Sequence, residues 1–585
     1  MSKDSLQAGS VATAAGKSSP FRISDSMRDT IIVGVVAFLS ACLVSTYIWE
    51  NGDIELKWQV IKAWADGQFP AFPENHHNMR WGMTFPAVIW VRLFGDGALN
   101  YLLINHVVFA LTSAGLYNLV RSLTTPLVAA IAFMVWLINP MAHDIPGNLM
   151  PEVWTMAYFV AALILLRGAY AENSRLKYAG AIFMLFLCYG AKETNIFFMP
   201  GLGLYELIRR RWTNVGIMIA VFGGGLIVET LTVNAVLSQS HLMLGRAQAI
   251  VKAGHLTEMS EDWPYTWSDL FTRWLFGAET NLDRLEYFNK LTYWGFFIIT
   301  GWKAWTWIKA RTPLPPAGDL GPNAKVEGGE VISAAWAMGL SFAFFSSFFI
   351  LGINPLVLGQ PLNDRYLWPL VIPALLILSV ALRVGLDRAE KARSGIVAKA
   401  QHVLSPLAMG RMALATLVVI GGFCTLARWP IEIAIVKIRR HDYAEPYGIF
   451  QSQAYFSEIR QHLLDGCTLV FSRPRPAQTM LVHTFPFKEV GEPLRLYDQS
   501  LDGLTIAGHQ LRAWKVPESE WGPLIGKLYV APNNSGFKPW ALRMTNAGAC
   551  TQTYYLGQVD INPRDQLLNG SVGDPPPVVS LARSL

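Results

Sequence analysis

Charge is scarce in this chain. Asp, Glu, Lys and Arg make up only 15% of its 585 residues, where a soluble protein carries roughly a quarter, so there is too little polar surface for an ordinary water-soluble globule. Cysteine is scarce as well: five residues exclude a scaffold stapled by many disulfides. No internal repeat is evident, so the paired halves common among many-span transporters are missing. Nothing in the charge pattern resembles a nucleic-acid surface, and the net charge of +6 fits anionic lipid headgroups instead.

Apolar residues fill the gap, at 52% of the chain and a mean hydropathy of +0.30. They are gathered into runs approaching the roughly 20 residues that a spanning helix needs. Such runs begin at Thr30, Ala98, Pro126, Met150, Tyr178, Asn195, Val215, Leu291, Val331, Tyr366 and Met412. The expected fold is a multi-pass α-helical membrane protein with about 11 transmembrane helices, followed by a mixed α/β domain.

Basic residues orient the runs, because Lys and Arg accumulate in short cytoplasmic loops. With the amino end inside, the inner loops hold Arg121, then Arg167, Arg175 and Lys177, then Arg209-Arg210-Arg211, then Lys303 to Lys325, then Arg383 to Arg411. The tail then lies outside, in the periplasm of an inner-membrane protein, with the loops around Asp53, Asp144, Lys192, Trp263 and Asn354. The stretch Trp81 to Gly95, broken by Pro86 and Arg92, is too short to cross and reads as an outer interfacial helix.

Three regions are expected: a disordered, Ser/Gly/Ala-rich cytoplasmic tail over 1–29, a transmembrane domain over 30–427, and an outer domain over 428–585. Turn residues in the last region separate short runs such as Thr468-Leu469-Val470-Phe471 and Lys527-Leu528-Tyr529-Val530, which read as strands. Its proline-rich end near Pro575-Pro576-Pro577 is expected to be loose. Cys42, Cys188 and Cys424 fall inside apolar runs, whereas Cys467 and Cys550 both fall in the polar tail. Outside the cytoplasm those two can pair or remain as thiols.

The scarce charges collect at span ends on the outer side. An ionisable group at membrane depth costs roughly 2.5–3.5 kcal/mol on the mild insertion scale, so acids and bases on one face mark a candidate substrate site. The first outer loop opens Gly52-Asp53-Ile54-Glu55 and continues to Asn75-His76-His77-Asn78-Met79-Arg80-Trp81, then Pro86 and Leu93-Phe94-Gly95. Asn139-Pro140 is followed by Glu152, then come Gly190-Ala191-Lys192-Glu193-Thr194 and Asp364-Arg365-Tyr366-Leu367-Trp368-Pro369. In that order, over roughly 30–385, these motifs resemble the GT-C superfamily of membrane glycosyltransferases, in the branch of aminoarabinose transferases and protein O-mannosyltransferases.

The resemblance implies transfer of a sugar from a polyprenyl-phosphate donor to a hydroxyl of an envelope glycan, lipid or protein acceptor on the outer face. It implies catalytic carboxylates at Asp53, Glu55 and Glu152, with Asp53 as the base, and donor-phosphate contacts from Lys192, Arg365 and Arg80. No cofactor follows with certainty; His76 and His77, together with Glu152 or Asp53, form a candidate divalent-metal site.

Plainer readings stand beside each of these. Asp53 and Glu55 also suit a hydrated loop start, Lys192 with Glu193 a self-neutralising pair, and Arg365 an interface anchor. The two histidines suit an exposed loop, and His143-Asp144 a polar turn before Pro146 and Gly147. Trp263, Tyr265, Trp267 and Trp274 suit either an interfacial belt or a sugar-stacking surface. The rival functions are a secondary transporter of an anionic substrate and a membrane scaffold whose tail binds a partner.

Overall fold

The computed structural model describes residues 24–45, 52–68, 79–139, 146–237, 244–246, 295–305, 326–346, 368–399, 448–471, 480–490, 501–527 and 538–556. Six helical stretches among them are long and apolar enough to cross a membrane: Asp25–Leu43, Ala98–Leu123, Pro151–Glu172, Trp212–Val236, Gly329–Ser346 and Trp368–Asp387. The protein is thus a multi-pass α-helical membrane protein.

The expectation of about 11 spans is corrected. The runs at Pro126, Tyr178 and Asn195 build helices of only 12, 17 and 11 residues. At about 1.5 Å per residue each is shorter than a hydrocarbon core about 30 Å thick, although the chain from Arg175 to Lys192 and from Glu193 to Arg209 still passes between the two ends of the bundle. The run at Met412 lies outside the described residues, and that at Leu291 is described only over 295–305.

Each helix begins where its local chemistry allows. Helix α1 (Asp25–Val44) is capped by the Ser24 hydroxyl, which accepts from the Met27 amide at 3.3 Å. The stretch that opens as a loop in the sequence reading forms helix α2 (Gly52–Ala65), and the expected helix after Arg80 is helix α3 (Trp81–Phe94). Helix α3 buries Met83, Ala87, Val88 and Val91 and exposes Phe85, Ile89 and Leu93, the two-faced pattern of an interfacial helix. Helix α4 (Ala98–Leu123) follows, then α5 (Pro126–Leu137), whose cap Thr125 and first-turn Pro126 suit a helix start. Helices α6 (Pro151–Glu172) and α7 (Arg175–Ala191) form a hairpin turned at Asn173, with φ of 49°. Beyond it come α8 (Phe198–Ile208), α9 (Trp212–Met218), a π-helical turn and α10 (Gly224–Leu237), then α11 (Val326–Ser346) and α12 (Val371–Lys399).

Polar contacts sort these helices into two ends. At one end Arg121 of α4 meets Asp29 of α1 at 2.6 Å, and Arg383 of α12 donates to the carbonyls of Leu123 and Thr124 at 3.0 Å. There too Glu206 accepts from the Tyr170 hydroxyl at 2.6 Å, and Arg209 and Arg211 pair with Glu330. At the other end the Leu149 amide donates to the Tyr101 hydroxyl at 3.1 Å, bringing the starts of α4 and α6 together.

The tail sits on that second end. Helix α13 (Gly448–Leu464) leads into a five-stranded sheet of order β2-β3-β4-β1-β5, with β1 (Thr468–Phe471), β2 (Thr505–Ile506), β3 (His509–Lys515), β4 (Trp540–Thr545) and β5 (Thr553–Leu556). β1 runs antiparallel to β4 and parallel to β5. One sheet face, with Leu469, Phe471, Leu511, Leu542 and Met544, packs with Ile459 and Leu463 of α13 into a core continuous with that of the membrane helices. Of the strand expected over Lys527-Leu528-Tyr529-Val530, Lys527 ends a short helix (Trp521–Lys527) and 528–530 lie outside the described residues.

Cys467 and Cys550 are joined, with a Cα–Cα distance of 4.7 Å. The chains cross closely enough that a Cβ on Gly466, whose φ is +79°, would lie 2.0 Å from the Gly548 carbonyl oxygen. Glycine is required there on both counts. Cys42 and Cys188 are buried free thiols, and Cys424 lies outside the described residues.

Candidate functional site

The tail-bearing end holds two neighbouring sets of buried charge. Glu152 lies in the first turn of α6, just after Pro151, where unsatisfied amides favour an acid. Lys192 ends α7 in extended conformation, and a 3₁₀ turn, Glu193–Phe197, follows. Asn195 fixes that turn by donating to the Thr155 hydroxyl and the Cys188 carbonyl, both at 2.9 Å. So held, the Lys192 ammonium donates to Glu152 Oε1 at 2.8 Å, with both side chains 2% exposed.

The second set lies across the turn. Arg80 directly precedes α3 and directs Nη2 and Nε at the two oxygens of Glu193, at 3.0 and 3.4 Å. Arg246 reaches Glu193 at 3.5 Å, Glu229 of α10 at 2.6 Å and the Tyr189 carbonyl. The Trp81 indole donates to the same Glu229 oxygen at 2.6 Å. Burial opposes the charge on Glu193, but the Arg80 and Arg246 guanidiniums override it and hold the carboxyl well below the usual range.

Close backbone packing keeps the two sets adjacent. Gly82, two residues after Arg80, lies against α7 so tightly that a Cβ there would be 2.5 Å from the Ala191 amide nitrogen and the Leu187 carbonyl oxygen. The Tyr158 hydroxyl of α6 donates to the Gly82 carbonyl at 2.7 Å. The end of the first outer segment is therefore bolted to the turn that carries Lys192 and Glu193.

The sequence-nominated residues divide accordingly. Lys192, Glu152 and Arg80 are brought together with Glu193, and the reading of Lys192 and Glu193 as one self-neutralising pair is corrected, because the two side chains engage different partners. Asp53 and Glu55 fall in the first turns of α2, so the loop-start reading is corrected as to backbone. His76, His77, His143, Asp144, Arg365, Trp263, Tyr265, Trp267 and Trp274 lie outside the described residues. Among the described residues no three His, Cys, Asp or Glu side chains gather as metal ligands.

Sequence reasoning missed Glu229, Arg246 and Lys62. Glu229 interrupts an apolar run, a signal that membrane depth alone makes meaningful; Arg246 sits in no motif and offered none. Lys62 is buried on α2 and donates to the Val482 and Phe485 carbonyls at 2.7 and 2.8 Å. Asp96 stands 3.8 Å from it and accepts from the Phe487 amide at 2.7 Å. Arg92 holds the same helix end through the Trp64 and Ala65 carbonyls, both at 3.2 Å. Burial pulls the Lys62 ammonium down to about 8, against the opposing pull of Asp96 and Glu489.

No family model and no curated protein matches the chain. Among solved structures it is similar to ArnT from Cupriavidus metallidurans in the apo state, at TM-score 0.42 and 13% identity, over 88% of this chain and 97% of that one. It is also similar to the Archaeoglobus fulgidus oligosaccharyltransferase in the apo form, at TM-score 0.40 and 11% identity, over 81% of this chain and 62% of that one. The chain thus spans under two thirds of the second protein. Likenesses this distant leave function to the residues themselves.

Proposed function

We propose that the chain is a membrane glycosyltransferase of GT-C type, moving a sugar from a polyprenyl-phosphate donor to a hydroxyl acceptor on the outer face of the membrane. The observation that carries the reading is the gathering of Arg80, Glu152, Lys192 and Glu193 at the end on which the tail sits. These residues belong to the motifs whose order resembles that superfamily, and scarce charge placed there needs a purpose. The same sorting puts Arg121, Arg209, Arg211 and Arg383 at the opposite end, which supports a cytoplasmic amino end and a periplasmic tail.

In the proposed reaction the acceptor oxygen attacks the anomeric carbon and the carbon–oxygen bond to the lipid phosphate breaks. Asp53 takes the acceptor proton, with Glu55 the alternative base. The departing phosphate gathers negative charge, which fixed cations stabilise. Arg80 and Arg365 suit phosphate oxygens through their planar forks, and Lys192 acts as a point charge that Glu152 keeps in place.

The test is turnover of labelled polyprenyl-phosphate sugars by the purified protein. Asp53→Asn keeps shape and removes proton affinity, so turnover should fall by about 10²–10⁴-fold with donor binding retained. Glu55→Gln identifies the base if Asp53→Asn remains active. Full activity of both variants would refute the mechanism.

A further inference from the structure

Of the cations in the two buried sets, Arg80 is the one suited to receive a new anion. Lys192 and Glu152 are each 2% exposed, and the Arg246 side chain is 0% exposed. Arg80 and Glu193 are 11% and 19% exposed, so an anion arriving from the membrane surface can reach them. Arg80 also presents Nε and Nη2 to the two carboxylate oxygens of Glu193. A guanidinium fork placed in this way fits two phosphate oxygens equally well.

We infer that Glu193 holds the place of a lipid phosphate on Arg80, and that binding of a polyprenyl phosphate exchanges the Glu193 carboxylate for the phosphate. The displaced carboxylate does not lose its charge partner, because Arg246 already lies 3.5 Å away. That second cation makes the exchange cheap: one ion pair replaces another, and no charge is left buried alone. The exchange also makes the site selective. A neutral lipid cannot displace Glu193, so the Arg80–Glu193 pair stays closed until an anionic headgroup arrives.

This inference rests on the proposed donor but can fail separately from it. In the wild-type protein, polyprenyl monophosphate in detergent micelles should raise the reactivity of Glu193 toward a water-soluble carbodiimide, read by peptide mass mapping. Polyprenol should leave that reactivity unchanged. An equal rise with inorganic phosphate would assign the site to free phosphate and overturn the lipid assignment. Glu193→Gln should bind polyprenyl monophosphate about tenfold more tightly, having lost the competing charge, whereas Glu193→Asp should bind no more tightly than wild type. Arg80→Gln should abolish the gain in the Glu193→Gln background.

If the lipid phosphate binds wild type while Glu193 reactivity and Glu193→Gln affinity stay unchanged, the exchange is wrong and the donor assignment stands. If the exchange is seen but no sugar is transferred, the glycosyltransferase reading fails alone.

Discussion

Single residues carry most of what is unusual here, because each buried charge must be answered by another. Lys192 and Glu152 answer each other where α6 begins and α7 ends, at 2.8 Å and with both side chains buried. Glu152→Gln keeps the shape but removes a carboxylate charge 2.8 Å from the buried ammonium, a loss expected to cost up to about 3–5 kcal/mol. Thermal unfolding in detergent should show it, and Glu152→Gln with Lys192→Met should recover part of the loss, since the second change removes the stranded charge. Equal stability of wild type and Glu152→Gln would mean that water reaches the pair. The sequence pointed to both residues, yet it could not pair them, because 40 residues and a helix hairpin separate them.

At the scale of elements, α2 is the piece whose position matters most, since it bears Asp53 and Glu55 at one end and Lys62 at the other. Lys62 fastens it to the tail through the Val482 and Phe485 carbonyls, and Arg92 fastens it to α3. The Lys62 ammonium, pulled by burial to about 8, binds its proton less tightly in the folded protein than in the unfolded chain, where lysine titrates near 10.4. The unfolded chain therefore holds more protons between these values, and stability from this group rises with pH across that window. Below about pH 8 the cost of burying the charge is fully present.

Raising the pH from 8 toward 10 should accordingly stabilise wild type relative to Lys62→Met, by no more than about 3 kcal/mol. Denaturant or thermal unfolding at each pH measures it. A difference independent of pH would place the amine in water. The hydrated-loop reading of this segment failed because Asp53, Glu55 and Lys57 look polar in sequence, and only the covering by α3 and the tail reveals Lys57, Gln59 and Lys62 as buried.

Over the whole molecule, the two ends differ in chemistry. Arginines stitch acids and carbonyls at both ends, but only the tail-bearing end adds the buried Lys192–Glu152 pair and the contacts of Lys62 with the tail. The Cys467–Cys550 bond spans 83 residues and ties the start of β1 to the turn before β5. Closing a loop of that length is expected to stabilise the domain by about 4 kcal/mol. Non-reducing peptide mapping of protein from native membranes should recover the linked pair, and Cys467→Ala with Cys550→Ala should unfold the tail at lower denaturant. Two free thiols in native membranes would place the tail in a reducing compartment and reverse the proposed orientation.

The sequence by itself determined the membrane class, the run of long apolar helices, a helix at α3 too short to span, and the possibility of a bond between the two tail cysteines. Those features are local or compositional: a run of apolar residues demands lipid, and a 14-residue helix cannot cross it. Tertiary structure alone decided which runs form helices of crossing length, that Lys192 meets Glu152 and Arg80 meets Glu193, and that Lys62 reaches a strand-rich domain 420 residues away. Those outcomes depend on which helix ends come together and how much water the packing excludes. A side chain's charge partner in a low-dielectric interior is set by that geometry, and residue order does not encode it in any local pattern.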